Sequence, residues 1–115
     1  MTIEAFIVDY LSGEFSGISV SGDVPHPMPQ EFITVEKTGE RITNRIPKAE
    51  IVVQSWAASR AEAMALSDRV TDAMLGAVSE PEIMRCKLNA EYNYPLEEAK
   101  RPRYQAVFEV VYNLS

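Results

Sequence analysis

The side chains best equipped for chemistry are few and far apart in this sequence. The single histidine, His26, sits between prolines in Val24-Pro25-His26-Pro27-Met28-Pro29, and the single cysteine is Cys86. Metal sites need several convergent ligands, and one cysteine excludes an internal disulfide. A Ser-His-Asp relay would have to recruit His26 from a proline-rich loop, and no nucleophile-elbow sequence accompanies it. Gly17-Ile18-Ser19-Val20-Ser21-Gly22 has the glycine spacing of a phosphate loop. It continues with Asp23-Val24 where Lys and Ser or Thr are required, and a carboxylate there repels phosphate. Asp68 and Asp72 stand four apart, as a general acid and base could, but Arg69 between them makes a solvated helix edge the simpler reading. Cys86 alternates with Met84 and Leu88, as a small buried hydrophobe does. Tyr92, Tyr94, Tyr104 and Tyr112 could stack on bases or sugars, yet lack the interleaved basic residues such platforms use, so sheet packing is expected. The sequence therefore predicts no catalytic residue, no metal and no cofactor, and the protein is expected not to be an enzyme.

The charge distribution says more. The chain has 115 residues and a formal net charge of −6. Glu4, Asp9, Glu14, Asp23, Glu31 and Glu36 all precede the first base, Lys37, so the first 36 positions carry the whole imbalance and the remainder is neutral. The bases concentrate in two segments, Lys37, Arg41, Arg45 and Lys48 in one, Lys100, Arg101 and Arg103 in the other. Nucleic-acid seekers neutralise phosphates with Lys and Arg, so an acidic balance argues against DNA as a sought partner while allowing DNA to pass. Solvated loop charge is the simpler reading of these two segments, and charge complementarity between the acidic third of one copy and the basic segments of another is the functional one. Met1 is followed by no basic region and no long apolar run, which predicts neither a secretory leader nor a membrane span. The lone cysteine suits a reducing interior.

These residues must be placed by a small set of elements. Thr2 can cap a helix in which Ile3, Phe6, Ile7, Tyr10 and Leu11 recur on one face, ending at Gly13. Ile18 and Val20 alternate with Ser19 and Ser21 in a short strand that ends at Gly22, and Pro25, Pro27 and Pro29 then impose an extended loop. Phe32 to Lys37 and Ala49 to Ala57 read as a hairpin with Thr38 to Lys48 as a long polar loop. Ser59-Arg60-Ala61-Glu62 is a capping box, opening a helix with Ala63, Leu66, Val70, Ala73, Met74 and Ala77 on one stripe. Met84, Cys86, Leu88, Ala90, Tyr92 and Tyr94 share one strand parity. Tyr104, Ala106, Phe108, Val110 and Tyr112 share another in the last strand.

The composition, 46% hydrophobic and 24% charged, and the length fit a single domain over 1–115, within the ~100–200 residues typical of one. The fold class expected is α+β, a two-layer domain in the order αβββαββ. It has a mostly antiparallel sheet of four to five strands with two helices on one face. Two helices cover one sheet face only. Opposite the core parity lie Phe32, Val52, Trp56, Val107 and Val111, an apolar set that marks either an interface or a surface over which the Thr38 to Lys48 loop folds. With Arg41 and Arg45 these residues form the candidate oligomer interface.

Phe32-Ile33-Thr34-Val35-Glu36-Lys37-Thr38-Gly39, then Val52-Val53-Gln54-Ser55-Trp56-Ala57 leading into Ser59-Arg60-Ala61-Glu62-Ala63, then Arg103-Tyr104-Gln105-Ala106, resemble the small tail terminator (tail completion) proteins of long-tailed bacteriophages and prophages. The resemblance covers most of the chain from Phe32 onward. It implies a structural protein of the virion head-tail junction, assembled in the bacterial host cytoplasm. It also implies a hexameric ring that ends tail-tube growth, with the tail-tube protein, the head connector and further copies of itself as partners, and DNA passing through the lumen. The resemblance gives the sheet and the segment Thr38 to Lys48 a role in ring contacts and the lumen. Another head-tail connector or neck protein, and a small ligand-binding ferredoxin-like α+β domain, are the alternatives.

Overall fold

The structure, a computed structural model, describes residues 1–114 of the chain. Its elements are α1 (Ile3–Glu14), β1 (Ser19–Ser21), β2 (Phe32–Thr43), β3 (Ile46–Trp56), α2 (Arg60–Leu75), a 3-10 turn (Gly76–Ser79), β4 (Ile83–Asn93) and β5 (Arg103–Tyr112). The expected α+β class and the order αβββαββ hold. The strands form one sheet ordered β1-β2-β3-β5-β4, with only the β1–β2 pair parallel. Both helices lie on one face of it. The core between the layers joins Ile3, Ile7 and Leu11 of α1 and Leu66, Val70 and Met74 of α2 to Ile33, Val35, Ile51, Val53, Phe108 and Val110 of the sheet. Burying each such side chain contributes about 1.5–3 kcal/mol.

Local signals begin both helices as their sequences dictate. The Thr2 hydroxyl accepts from the Ala5 amide at 3.1 Å. Ser59 accepts from the Glu62 amide at 3.1 Å, but the reciprocal half of the box differs from expectation. The Glu62 carboxylate accepts from the Ser59 hydroxyl at 3.0 Å rather than from its amide. Glu4, in the first turn of α1, reaches across to accept from the Lys37 amide of β2 at 2.9 Å. One acid of the N-terminal third is thus committed to holding helix to sheet.

The segment Thr38 to Lys48 is not a loop. The two strands continue through it, and the turn consists of Asn44 and Arg45 alone, with φ of 53° and 64°. Positive φ at both central residues is what a two-residue type I′ hairpin requires, and Asn tolerates it better than most residues. β5 accompanies β3 only as far as Lys48, so from Ile42 to Pro47 the hairpin runs on as a two-stranded arm. This agrees with the elongated outline of 44 × 24 × 23 Å.

Three bulges set which residues face the helices. The register shifts between Lys37 and Gly39, between Ile83 and Arg85, and between Leu88 and Ala90, leaving Thr38, Met84 and Asn89 as the extra residues. Each exchanges the two faces of the strand beyond it. Met84 is pushed into solvent at 54% exposure, and the single parity expected from Met84 to Tyr94 breaks into three parts. Cys86 and Leu88 pack against the core. Beyond Asn89 it is Glu91 that faces α2, where its carboxylate accepts from Ser67 at 2.7 Å. Tyr92 turns to the helix-free face. The bulge at Thr38 likewise puts Glu40 opposite Ala49, on the core side, where it accepts the hydroxyl hydrogen of the largely buried Tyr112.

Burial, followed by the hydrogen bond to Glu40 and its charge, pushes the Tyr112 pKa from 10.0 up to about 12. The folded state holds this proton more tightly than the unfolded chain does. Its contribution is therefore complete below pH 10 and lost as the pH rises toward about 12. Thermal melts across that window should show the wild type losing stability more steeply than Tyr112→Phe.

Candidate assembly surfaces

The helix-free face divides into three zones along the strands. At one end Phe32 and Trp56, directly paired across β2 and β3, stack with ring centroids 4.9 Å apart and planes 17° from parallel. Both are sealed inside the chain, at 0% and 1% exposure. They were expected in an exposed apolar interface, and the structure corrects this: the aromatic pair belongs to the fold. The arm at Thr38 to Lys48 does not provide the cover. Two loops do, the proline loop between β1 and β2 and the segment between β4 and β5. The Arg101 guanidinium donates to the carbonyls of Pro29 at 2.7 Å and Gln30 at 2.9 Å, and lies 5.7 Å from the Phe32 ring centre.

Arg103 sits between two rings, 4.8 Å from the centre of Trp56 and 4.4 Å from that of Tyr94. Its Nε donates to the Tyr94 carbonyl at 2.6 Å. Burial lowers the Arg103 pKa, and Tyr94 and Glu98 oppose that shift. A guanidinium over an aromatic face contributes about 0.5–1 kcal/mol where it stays hydrated and more where it is desolvated. The second basic segment, read as solvated or interfacial charge, thus spends Arg101 and Arg103 within the chain.

The middle zone is polar and crosses four strands. Trp56 Nε1 donates to Thr34 Oγ1 at 3.2 Å, Thr34 to Gln54 Oε1 at 3.3 Å, Gln54 Nε2 to Gln105 Oε1 at 2.7 Å, and Gln105 Nε2 to the Tyr92 hydroxyl at 2.6 Å. All four bonds donate in the same sense, which lets each polarise the next. This ladder was missed in the sequence. Gln54 and Gln105 stand at strand positions facing away from the core, and nothing in their spacing shows that they are opposite one another.

The third zone leads to the arm. Val52 lies opposite Val107 and Lys48 opposite Val111. Val52 is buried, whereas Val107 and Val111 are half-buried, so this apolar strip is narrow. Lys48 pairs with Glu109 at 3.8 Å here, and Lys37 with Glu40 at 3.5 Å on the other side of the sheet. Arg41 and Arg45 stand exposed on the arm, with neither an ion pair nor a hydrogen-bond partner for their side chains among the described residues. Ile42 and Ile46 beside them are 65% and 42% exposed. These two isoleucines also escaped the sequence reading, because a segment taken as polar loop gives no reason to look for apolar residues held apart from a core.

The other chemical candidates remain dispersed. His26 is exposed in the proline loop, and Asp68 and Asp72 are exposed on α2. Cys86 is half-buried, and burial pushes its thiol pKa up to about 11. Tyr92 and Tyr94 meet edge to face at 6.1 Å, while Tyr112 packs into the core. Among the described residues no group of three or more His, Cys, Asp or Glu is placed to hold a metal ion, and no helix is long and apolar enough to cross a membrane.

No protein-family model matches the sequence, and comparison with curated proteins finds no match. Solved structures do match in fold. One chain of a structure described as the virion of a native gene transfer agent particle superposes with a TM-score of 0.62. It is 21% identical, over 84% of this chain and 79% of that one. The two share a fold.

Two outcomes follow from the burial. Trp56→Ala should cost about 3–5 kcal/mol of stability in chemical denaturation, a loss borne by the monomer and not confined to assembly. The Cys86 thiol, protonated at neutral pH, should react with a maleimide slowly in the folded protein and rapidly once unfolded.

Proposed function

We infer that the protein is a structural subunit of a phage-like virion. Within that class we assign it the role of tail terminator, a non-catalytic ring that ends the tail tube and meets the head connector. The observation that carries the reading is the fold shared with a chain of a gene transfer agent virion. The tail terminator resemblance of the segments from Phe32 onward refines it. The arm adds physical support. A two-stranded extension with Ile42 and Ile46 exposed next to Arg41 and Arg45 gains little for an isolated chain and is suited to contact between subunits. The ring would lie at the head-tail junction, with copies of the chain, the tail-tube protein and the connector as its partners, and DNA would only pass through.

Purified protein mixed with tail tubes should give rings on tube ends in negative-stain images, and cross-links to both the tube protein and the connector. Tubes left uncapped at all concentrations would overturn the reading, and cross-links to the connector alone would indicate a different neck protein. Assembly should weaken with added salt. Arg41→Glu with Arg45→Glu should disrupt rings more than Lys87→Glu, as counted on grids.

A further inference from the structure

The arm has a complement elsewhere on the same chain. A groove of about 440 Å³ opens where α1, the segment before β4 and the segment after β5 meet. Its walls are apolar at Met1, Phe6 and Leu114 and acidic at Asp9, Glu80 and Glu82, and no Lys or Arg lines it. The walls are built in advance. The Asn113 amide donates to the Glu82 carbonyl at 2.9 Å and the Glu80 amide to that of Ala77 at 2.9 Å. The Tyr10 hydroxyl, also at the groove, donates to Ala73 at 2.7 Å, tying α1 to α2. Burial, then the negative field of Glu14 and Glu80, raises the Tyr10 pKa, which marks this corner as electronegative.

We propose that the arm tip of one copy, Ile42, Arg45 and Ile46 with Arg41, docks in the Phe6–Leu114 groove of the next copy. Ile46, which shares a face of the arm with Arg41, would cover Phe6 and Leu114, and the arginines would meet Asp9, Glu80 and Glu82. No arm residue lines the chain's own groove, so an arm seated there would come from a second chain. The tip offers exposed apolar side chains with unpaired positive charge, and the groove offers apolar walls with unmatched carboxylates. Such a contact joins two different patches, so it propagates from chain to chain until a ring closes, and the prebuilt groove lowers the ordering cost of binding. The inference rests on the assembly reading above and names the contact that carries it.

Disulfide trapping tests it in the full-length chain. Cys86→Ser protein carrying Ile46→Cys is mixed under mild oxidation with Cys86→Ser protein carrying Leu114→Cys, or Met64→Cys on the exposed surface of α2 as control. The 46–114 heterodimer should exceed the 46–64 product several-fold. Arg45→Glu on the tip chain should cut it several-fold, and Glu82→Arg on the groove chain should restore it. Asp9→Cys, at an exposed helix position, repeats the trap should Leu114→Cys fail to fold. Equal trapping at Leu114 and Met64, or indifference to Arg45→Glu, overturns the proposal. Rings on tail tubes without the 46–114 link would sink this contact alone. The link without rings would sustain the contact and sink the tail terminator role.

Discussion

Side chains alternate across a strand, so one additional residue in a strand exchanges the two faces of everything that follows it. Thr38, Met84 and Asn89 are three such residues, and the partition of this molecule into core, ladder and arm depends on them. Without the bulge at Thr38, Glu40 would leave Tyr112 and Arg41 would turn toward the core side. Without the bulge at Asn89, Glu91 would leave Ser67 and Tyr92 could not end the ladder that begins at Trp56. Sheet register therefore decides which polar groups are satisfied in the interior and which charges remain on the surface.

The helix-free face shows how a two-layer fold can finish an open sheet without a third layer. Its most apolar zone is capped by the molecule's own loops, held by Arg101 and Arg103 against aromatic rings and backbone carbonyls. Its centre is satisfied laterally by the Thr34, Gln54, Gln105 and Tyr92 chain. Exposed large side chains remain at Tyr92 and Tyr94 beside that chain, at Ile42 and Ile46 on the arm and at Met84 on the bulged edge strand. A bulged, charged edge also discourages unplanned strand pairing along β4. The arm's arginines and the groove's carboxylates, without ion-pair partners among the described residues, are the surfaces through which we propose that one copy meets the next.

Much of the candidate surface was visible in the sequence as composition and little of it as geometry. The basic residues Arg41 and Arg45 and the acidic first third can be read directly. The burial of Phe32 and Trp56 could not be read, because the covering residues, Pro29, Gln30, Arg101 and Arg103, lie far away in sequence and act through backbone carbonyls and ring faces. The arm was concealed by its own polarity. Residues 38–48 look like a loop until the Asn44-Arg45 turn is seen to bring the strands into register.

The sequence alone determined the order and type of the elements, since capping residues, helical stripes and strand alternation are local signals with periods of 3.6 and 2 residues. It also determined that the charge is divided between an acidic beginning and a neutral remainder with clustered bases. Only the tertiary structure decided which side of each strand faces the helices, what covers the aromatic pair, and that the basic hairpin stands free opposite in charge to the groove beside α1. Those choices depend on single-residue shifts in register and on hydrogen bonds between residues as far as 72 positions apart, such as Tyr112 with Glu40. No periodic pattern in the sequence encodes a contact of that kind.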